Sequence, residues 1–256
     1  GDIAKQIGGG HVAVTSIIRD PRTDPHLFES DPRDAAAIDT AQLVIVNGLG
    51  YDDFVTKTLT SAGGSGPRVL TVQRVLGVNG TDANPHLWYL TAKLPADAAA
   101  IAGQLAAIDP ADRAVFRSGA RRFDNSLRPV LATIAEIRKK YAGTAVGFTE
   151  RVPGYLLSAA GLKVVSPASF AQAIEDGNDP SPGDAATFDA DITGHKIAVL
   201  LYNAQVIDAA TTRIRQLALR SHVPVVGVTE TMPASDSSFQ AWQLRQDRAL
   251  LGALGG

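Results

Sequence analysis

The chain has 256 residues, 45% hydrophobic and 20% charged, with a formal net charge of −2 at pH 7. That composition suits a folded protein with one large core or two modest ones, and it lacks the basic footprint of a nucleic-acid binder. With no cysteine and one methionine, disulfides, thiol nucleophiles, thiolate metal sites and methionine-rich copper sites are excluded.

The opening GDIAKQIGGG lacks the apolar region of a signal peptide and is expected to be the mature start left after one is removed. No apolar run reaches the roughly 20 residues that a membrane-spanning helix needs. Short stretches rich in β-branched residues predict strands at 11–18, 42–47 and 68–72, with helices at 31–40, 51–61 and 94–108 between and after them. The helix at 31–40 opens on a capping aspartate, Asp31. GGSGP at 63–67 reads as a loop.

Residues 109–141 break this rhythm. They contain no strand pattern, begin DPADR with proline at a first helical position, and carry Phe116, Phe123, Leu127, Val130, Leu131, Ile134 and Ile137 at helical spacing. A helix of that length would approach about 50 Å, more than one small domain spans. The segment is expected to be a rod joining two lobes; the alternative is two helices broken at Gly119 or Pro129. Beyond it, strands are predicted at 145–149, 162–165, 196–202 and 223–229, and helices at 153–160, 208–221 and 238–254. NDPSP at 178–182 reads as a flexible loop.

Runs such as LVIV, IAVLL and VPVVGV have the continuous apolar character of parallel strands covered on both faces. The expected class is therefore α/β, with two lobes that are each a mainly parallel sheet flanked by helices, joined by one long backbone helix. The expected boundaries are an N-terminal lobe over 1–108, the linking helix over 109–142 and a C-terminal lobe over 143–256.

Two pairs of motifs carry the chemistry. TDPHLFES and NPHLW place His26 and His86 in matching settings, each after a proline that stiffens the approach and before an anchoring aromatic, Phe28 or Trp88. AVGFTERVP and VVGVTETMP share VGxTExxP. Glu150 and Glu230 then lie just past the carboxyl ends of two strands, the edge at which open α/β sheets bind ligands.

Taken singly, a loop histidine is most often a surface group, and a glutamate after a strand is most often solvated or capping a helix. The pairing argues otherwise. Two imidazoles and two carboxylates form a nitrogen–oxygen set that suits zinc, manganese or iron(II). His11, His195 and His222 show no pairing and are read as structural. NGLGYDD at 47–53 resembles a phosphate-binding turn but lacks the third glycine of GxGxxG; no Walker GK[ST] and no HExxH is present.

In this order, DPHLFES, a strand running into NGLGYDDF, NPHLW and a long helix resemble the zinc/manganese solute receptors of bacterial ABC importers. The likeness covers nearly the whole chain. It implies two α/β lobes around a rigid backbone helix, a transported zinc or manganese ion held between them, and no enzymatic activity. It also implies an extracytoplasmic monomer, periplasmic or at the cell surface, held as a lipoprotein by an N-terminal lipid and delivering its ion to an ABC transporter permease.

By position, His26 and His86 match the first-lobe ligands and Glu150 the third. Glu230 stands near the fourth, where the family usually has aspartate; Asp208 and Asp236 are the substitutes. The family's histidine-rich loop and cysteine pair are absent. Tyr51, Trp88 and Tyr202 are read as core residues, with lining the cleft and excluding water as the alternative, and Asn203 and Gln205 as candidates to hydrogen-bond a ligand carboxylate. The same donor set also builds hydrolytic and redox metal enzymes, and an adhesin on the same fold is a third reading.

Overall fold

The computed structural model describes residues 1–18, 20, 23, 25–61, 66–80 and 82–255. Within them the chain forms two compact units, Gly1–Arg128 and Pro129–Gly256. Residues 63–65 of the expected GGSGP loop and Asp24 of the DPH motif lie outside the described residues.

The first unit contains α1 (Asp2–Gly8), α2 (Pro32–Thr40), β1 (Leu43–Val46), α3 (Asp53–Ser61), β2 (Arg68–Thr71), α4 (Val72–Leu76), α5 (Leu94–Ile108) and α6 (Arg113–Ser126). Asp31 caps α2 as expected. Its side chain accepts from the amides of Arg33 and Asp34, and the Asp34 carboxylate accepts from the Asp31 amide. β1 and β2 pair in parallel, from Leu43 opposite Arg68 to Val46 opposite Thr71. Val44 and Val46 bury against Ile38 and Val55. Ile45 and Val69 remain 36% and 46% exposed, so this sheet is less covered than its apolar runs suggest.

The predicted strand at 11–18 is not one. A 3-10 turn at Gly9–His11 leads into extended backbone at Val12 (φ −133°, ψ 142°). Among the described residues the only ladder of this unit is β1 with β2, and β-branched residues without a partner strand leave the stretch a loop.

The long segment is helical with one interruption. α6 ends at Ser126 and α7 (Arg128–Tyr141) begins after Leu127, which keeps right-handed helical backbone (φ −75°, ψ −14°). This is a long bent helix. Pro129 supplies the reason: it lacks an N–H, and its ring obstructs the carbonyl four residues earlier. Gly119, the other expected break, lies inside α6 and serves packing. A Cβ there would sit 2.3 Å from the Ile7 carbonyl oxygen of α1, so its absence lets the two helices meet.

The second unit adds β3 (Ala145–Phe148), α8 (Gly154–Ala159), β4 (Lys163–Val164), α9 (Ala168–Glu175), α10 (Pro182–Thr193), β5 (Leu200–Asn203), α11 (Ala209–Arg220), β6 (Val225–Val228) and α12 (Phe239–Ala253). Its sheet is all parallel in the order β4-β3-β5-β6. Phe170, Phe188, Ile192, Leu200 and Ile214 form its core. The chain steps from β3 outward to β4, returns to β5 and continues to β6. Connections leaving β3 and β5 therefore diverge, which opens a crevice at the carboxyl edge. Sequence reading missed α9 and α10. Ser181 caps α10, accepting from the Asp184 amide, and Pro182 is its first residue, so NDPSP is partly a helix start.

Candidate functional site

In the first unit, His26 lies in a 3-10 turn at Pro25–Leu27 and His86 stands just before one at Leu87–Tyr89. Their Nε2 atoms are 3.3 Å apart. Phe28 anchors the first loop on Phe54, ring centroids 4.9 Å apart. Tyr51 packs edge-on against His26 at 5.1 Å and Trp88 against His86 at 5.4 Å.

His86 is fully buried, and its tautomer follows from its neighbours. Asn84 Oδ1 accepts from the His86 backbone N–H at 3.0 Å and lies 2.6 Å from His86 Nδ1. The backbone group can only donate, so the atom facing it is the amide oxygen, and Nδ1 must donate to it as well. In neutral His86 the lone pair therefore sits on Nε2, the atom that faces His26.

The NGLG turn holds this loop from beneath. Asn47 Nδ2 donates to the Pro85 carbonyl at 2.8 Å. Gly48 (φ 87°), Leu49 (φ 59°) and Gly50 (φ 80°) are left-handed, and a Cβ on Gly48 would lie 2.6 Å from Gln73 Oε1. The Asp52 carboxylate accepts from the Asn47 and Gly48 amides, and burial pushes its pKa up. NGLGYDD is thus a support for the histidine loop.

In the second unit the VGxTExxP repeat has a structural meaning. β3 ends at Phe148 and β6 at Val228, so each glutamate stands two residues past its strand. Both are buried, Glu150 1% and Glu230 4% exposed. Asn203, the last residue of β5, joins them: its Nδ2 donates to Glu150 Oε2 at 3.0 Å and to Glu230 Oε1 at 2.6 Å. Gln205 Oε1 accepts from the amides of Glu230 and Thr231. The turn before Glu230 is tied to α12 through Gln246 Oε1, which accepts from the Thr229 amide, and through Trp242 Nε1, which donates to Thr229 Oγ1. Beside Glu150, the Arg151 amide and guanidinium both donate to the buried Glu175 carboxylate of α9.

The remaining candidates are engaged elsewhere. Asp208 caps α11, accepting from the Thr211 amide at 2.7 Å. Asp236 forms a two-point pair with Arg245 at 3.0 and 2.7 Å. His195 and His222 have φ of 51° and 56° where the chain leaves α10 and α11, a helix-terminating conformation. His11 pairs with Asp112. Tyr202 lies under the Arg215 guanidinium, 5.0 Å from its ring centre, which accounts for it without a ligand. Sequence reading missed Asn84, Asn47 and Gln246. Asn84 carried a signal, as the first residue of NPHLW; Gln246 carried none, because only the fold brings α12 to the end of β6.

A family profile for the periplasmic component A of zinc-uptake complexes, ZnuA, matches residues 1–251. Curated relatives include a putative metal-binding protein of Treponema pallidum, 24% identical over 176 residues (60% of this chain, 54% of the relative). The manganese-binding lipoprotein MntA of Bacillus subtilis is 25% identical over 133 residues (50% of this chain, 43% of the relative). The matches thus span about half the length of these relatives.

Among solved structures, the periplasmic zinc-binding protein TroA of Treponema pallidum superposes with a TM-score of 0.84 at 18% identity, covering 100% of this chain and 95% of that one. A manganese-bound periplasmic metal-binding protein of Candidatus Liberibacter asiaticus gives 0.80 at 20% identity, covering 99% and 96%. FpvC of P. aeruginosa, solved with Ni2+, gives 0.81 at 21%, covering 99% and 92%. These structures share the fold.

Proposed function

We propose a metal-capture function for this chain, which belongs to the ZnuA family, the periplasmic component A of zinc-uptake complexes. One divalent transition ion, zinc or manganese, takes two imidazole nitrogens from His26 and His86 and two carboxylate oxygens from Glu150 and Glu230. The protein carries the ion as cargo, performs no chemistry on it and delivers it as a monomer to the permease of an ABC importer. An N-terminal lipid holds it at the membrane. The relatives named above for zinc, manganese and nickel support an ion of this class.

The observation that carries the reading is the imidazole pair. Two Nε2 atoms lie 3.3 Å apart, and Asn84 turns the lone pair of one toward the other. A cation there would take the Nε2 lone pair of His86, and that of His26 in the tautomer that carries its proton on Nδ1. Glu150 and Glu230 offer the compensating charge, gathered by one amide at the carboxyl edge of their sheet.

The test is a calorimetric titration of chelator-stripped protein with zinc and with manganese. Saturable binding of one ion per chain is expected, with most of the affinity lost in both His26→Ala and His86→Ala. His195→Ala should bind as wild type; an equal loss there would refute the ligand set.

A further inference from the structure

We infer that the α5–α6 hairpin rests on an anionic lipid surface through Arg113, Arg117 and Arg121. The chain as a whole carries a formal net charge of −2, yet α6 concentrates positive charge on one side. The three arginines recur every fourth residue, so at 3.6 residues per turn they share an arc of about 80° and span about 12 Å of the helix. All three are exposed. Like charges four residues apart repel one another within a helix, and among the described residues no carboxylate pairs with any of the three. The acidic residues of the hairpin are placed otherwise. Asp97 is buried, Asp109 accepts from the Ala111 amide, Asp112 pairs with His11, and Asp124 stands at the far end of the row, beyond Arg121.

The ground beside the row comes from α5. Ala99, Gly103 and Ala107 are exposed at the same four-residue spacing, and with the arginines they line an open groove of about 600 Å³. Side chains this small leave the long arginine stems room to lie across apolar surface. The occupant is identified by charge and by place. A guanidinium binds phosphate oxygens in a fork, and an anionic bilayer offers phosphates in a plane, which suits a straight row on one side of a helix. The same hairpin carries α1: Gly119 of α6 meets the Ile7 backbone, about 120° or more around the helix from the arginines. The amino-terminal lipid of the proposed function would tether the chain beside this hairpin, which favours a bilayer over an acidic segment of a partner protein. The inference rests on that function for its setting alone; attraction of the row to anionic lipid needs neither ion nor tether.

The experiment is co-sedimentation of the chelator-stripped chain with vesicles of mixed phosphatidylglycerol and phosphatidylcholine, and with vesicles of phosphatidylcholine alone. Wild type is compared with Arg113→Gln/Arg117→Gln/Arg121→Gln and with a control, Lys139→Gln/Lys163→Gln/Arg220→Gln, which removes the same charge from exposed sites of the second unit. Wild type is expected to bind only the anionic vesicles, and less as salt rises. At about fivefold for each arginine near such a surface, the first triple variant should lose about 100-fold in partitioning, while the control binds nearly as wild type. Arg117→Gln alone should lose about fivefold, which guards against a triple variant that fails to fold. Equal binding to both kinds of vesicle, unchanged binding in the arginine variants, or an equal loss in the control overturns the inference. So does attraction of the row to poly-glutamate with none to the vesicles, which would make the partner an acidic protein. Because no ion is present, failure of metal capture and failure of this inference are read separately.

Discussion

Asn84 is a small residue with a large lever. Its amide oxygen receives two donors from His86, one from the backbone and one from the ring, and so decides which ring nitrogen is left to bind. Partners of this kind typically contribute 10- to 100-fold in metal affinity. Asn84→Ala is expected to weaken zinc binding by about that factor, with the far-ultraviolet circular dichroism of the apoprotein unchanged. Asn84 was visible in the sequence only as the companion of His86 in NPHLW. Its role needed the turn geometry that folds the side chain back onto the ring.

A second prediction at this scale concerns Asp247 of α12, which is 1% exposed. Burial raises its pKa from 3.8 to about 8. The folded protein then keeps a proton that the unfolded chain releases near its ordinary value. Between about 4 and 8 the folded state binds more protons, so stability falls as pH rises through that window. Asp247→Asn should remove most of this fall, measured as urea midpoints at pH 5 and at pH 8.5. A wild-type midpoint that does not change between those values would contradict the assignment.

Elements were legible where local chemistry fixed them. The Asp31–Pro32 start of α2 and the terminal Thr-Glu pairs of β3 and β6 follow from capping and strand patterns that a few residues contain. The failures were of two kinds. The stretch 11–18 is rich in β-branched residues like a strand, but a strand exists only if another offers its backbone, which local sequence does not reveal. Gly119 read as a candidate helix break, yet its role is contact with α1, more than a hundred residues earlier. Gly119→Ala would push a methyl group to 2.3 Å from the Ile7 carbonyl. Overpacking of this kind costs about 1–3 kcal/mol, against roughly 1 kcal/mol gained in helix propensity. The variant is therefore expected to be no more stable than wild type and up to about 2 kcal/mol less stable by chemical denaturation. A gain of about 1 kcal/mol would show that α1 yields freely.

At the scale of the whole molecule, the first unit brings together an imidazole pair, His26 and His86, and the second a carboxylate pair, Glu150 and Glu230. That each pair lies together was readable because each repeats a motif, and a repeated motif places side chains alike on repeated structure. Asn203 was named from its place at the end of a strand, whereas Gln246 was not readable, since only the fold brings α12 to the turn before Glu230. Because the ion binds only the folded chain, it should also stabilise it. Free zinc at about 100 times its dissociation constant would add about 2.7 kcal/mol, seen as a higher melting temperature that returns to the apo value with excess chelator.

The most direct measurement is an equilibrium titration of the chelator-stripped chain with zinc and manganese, run in parallel on wild type, His86→Ala and Glu230→Gln. One saturable site per chain in wild type, with affinity sharply reduced by either substitution, is the predicted result, since one substitution removes a nitrogen donor from the first unit and the other a charged oxygen donor from the second. Binding that survives both substitutions, or no binding of zinc, manganese or iron(II) by wild type, would contradict it.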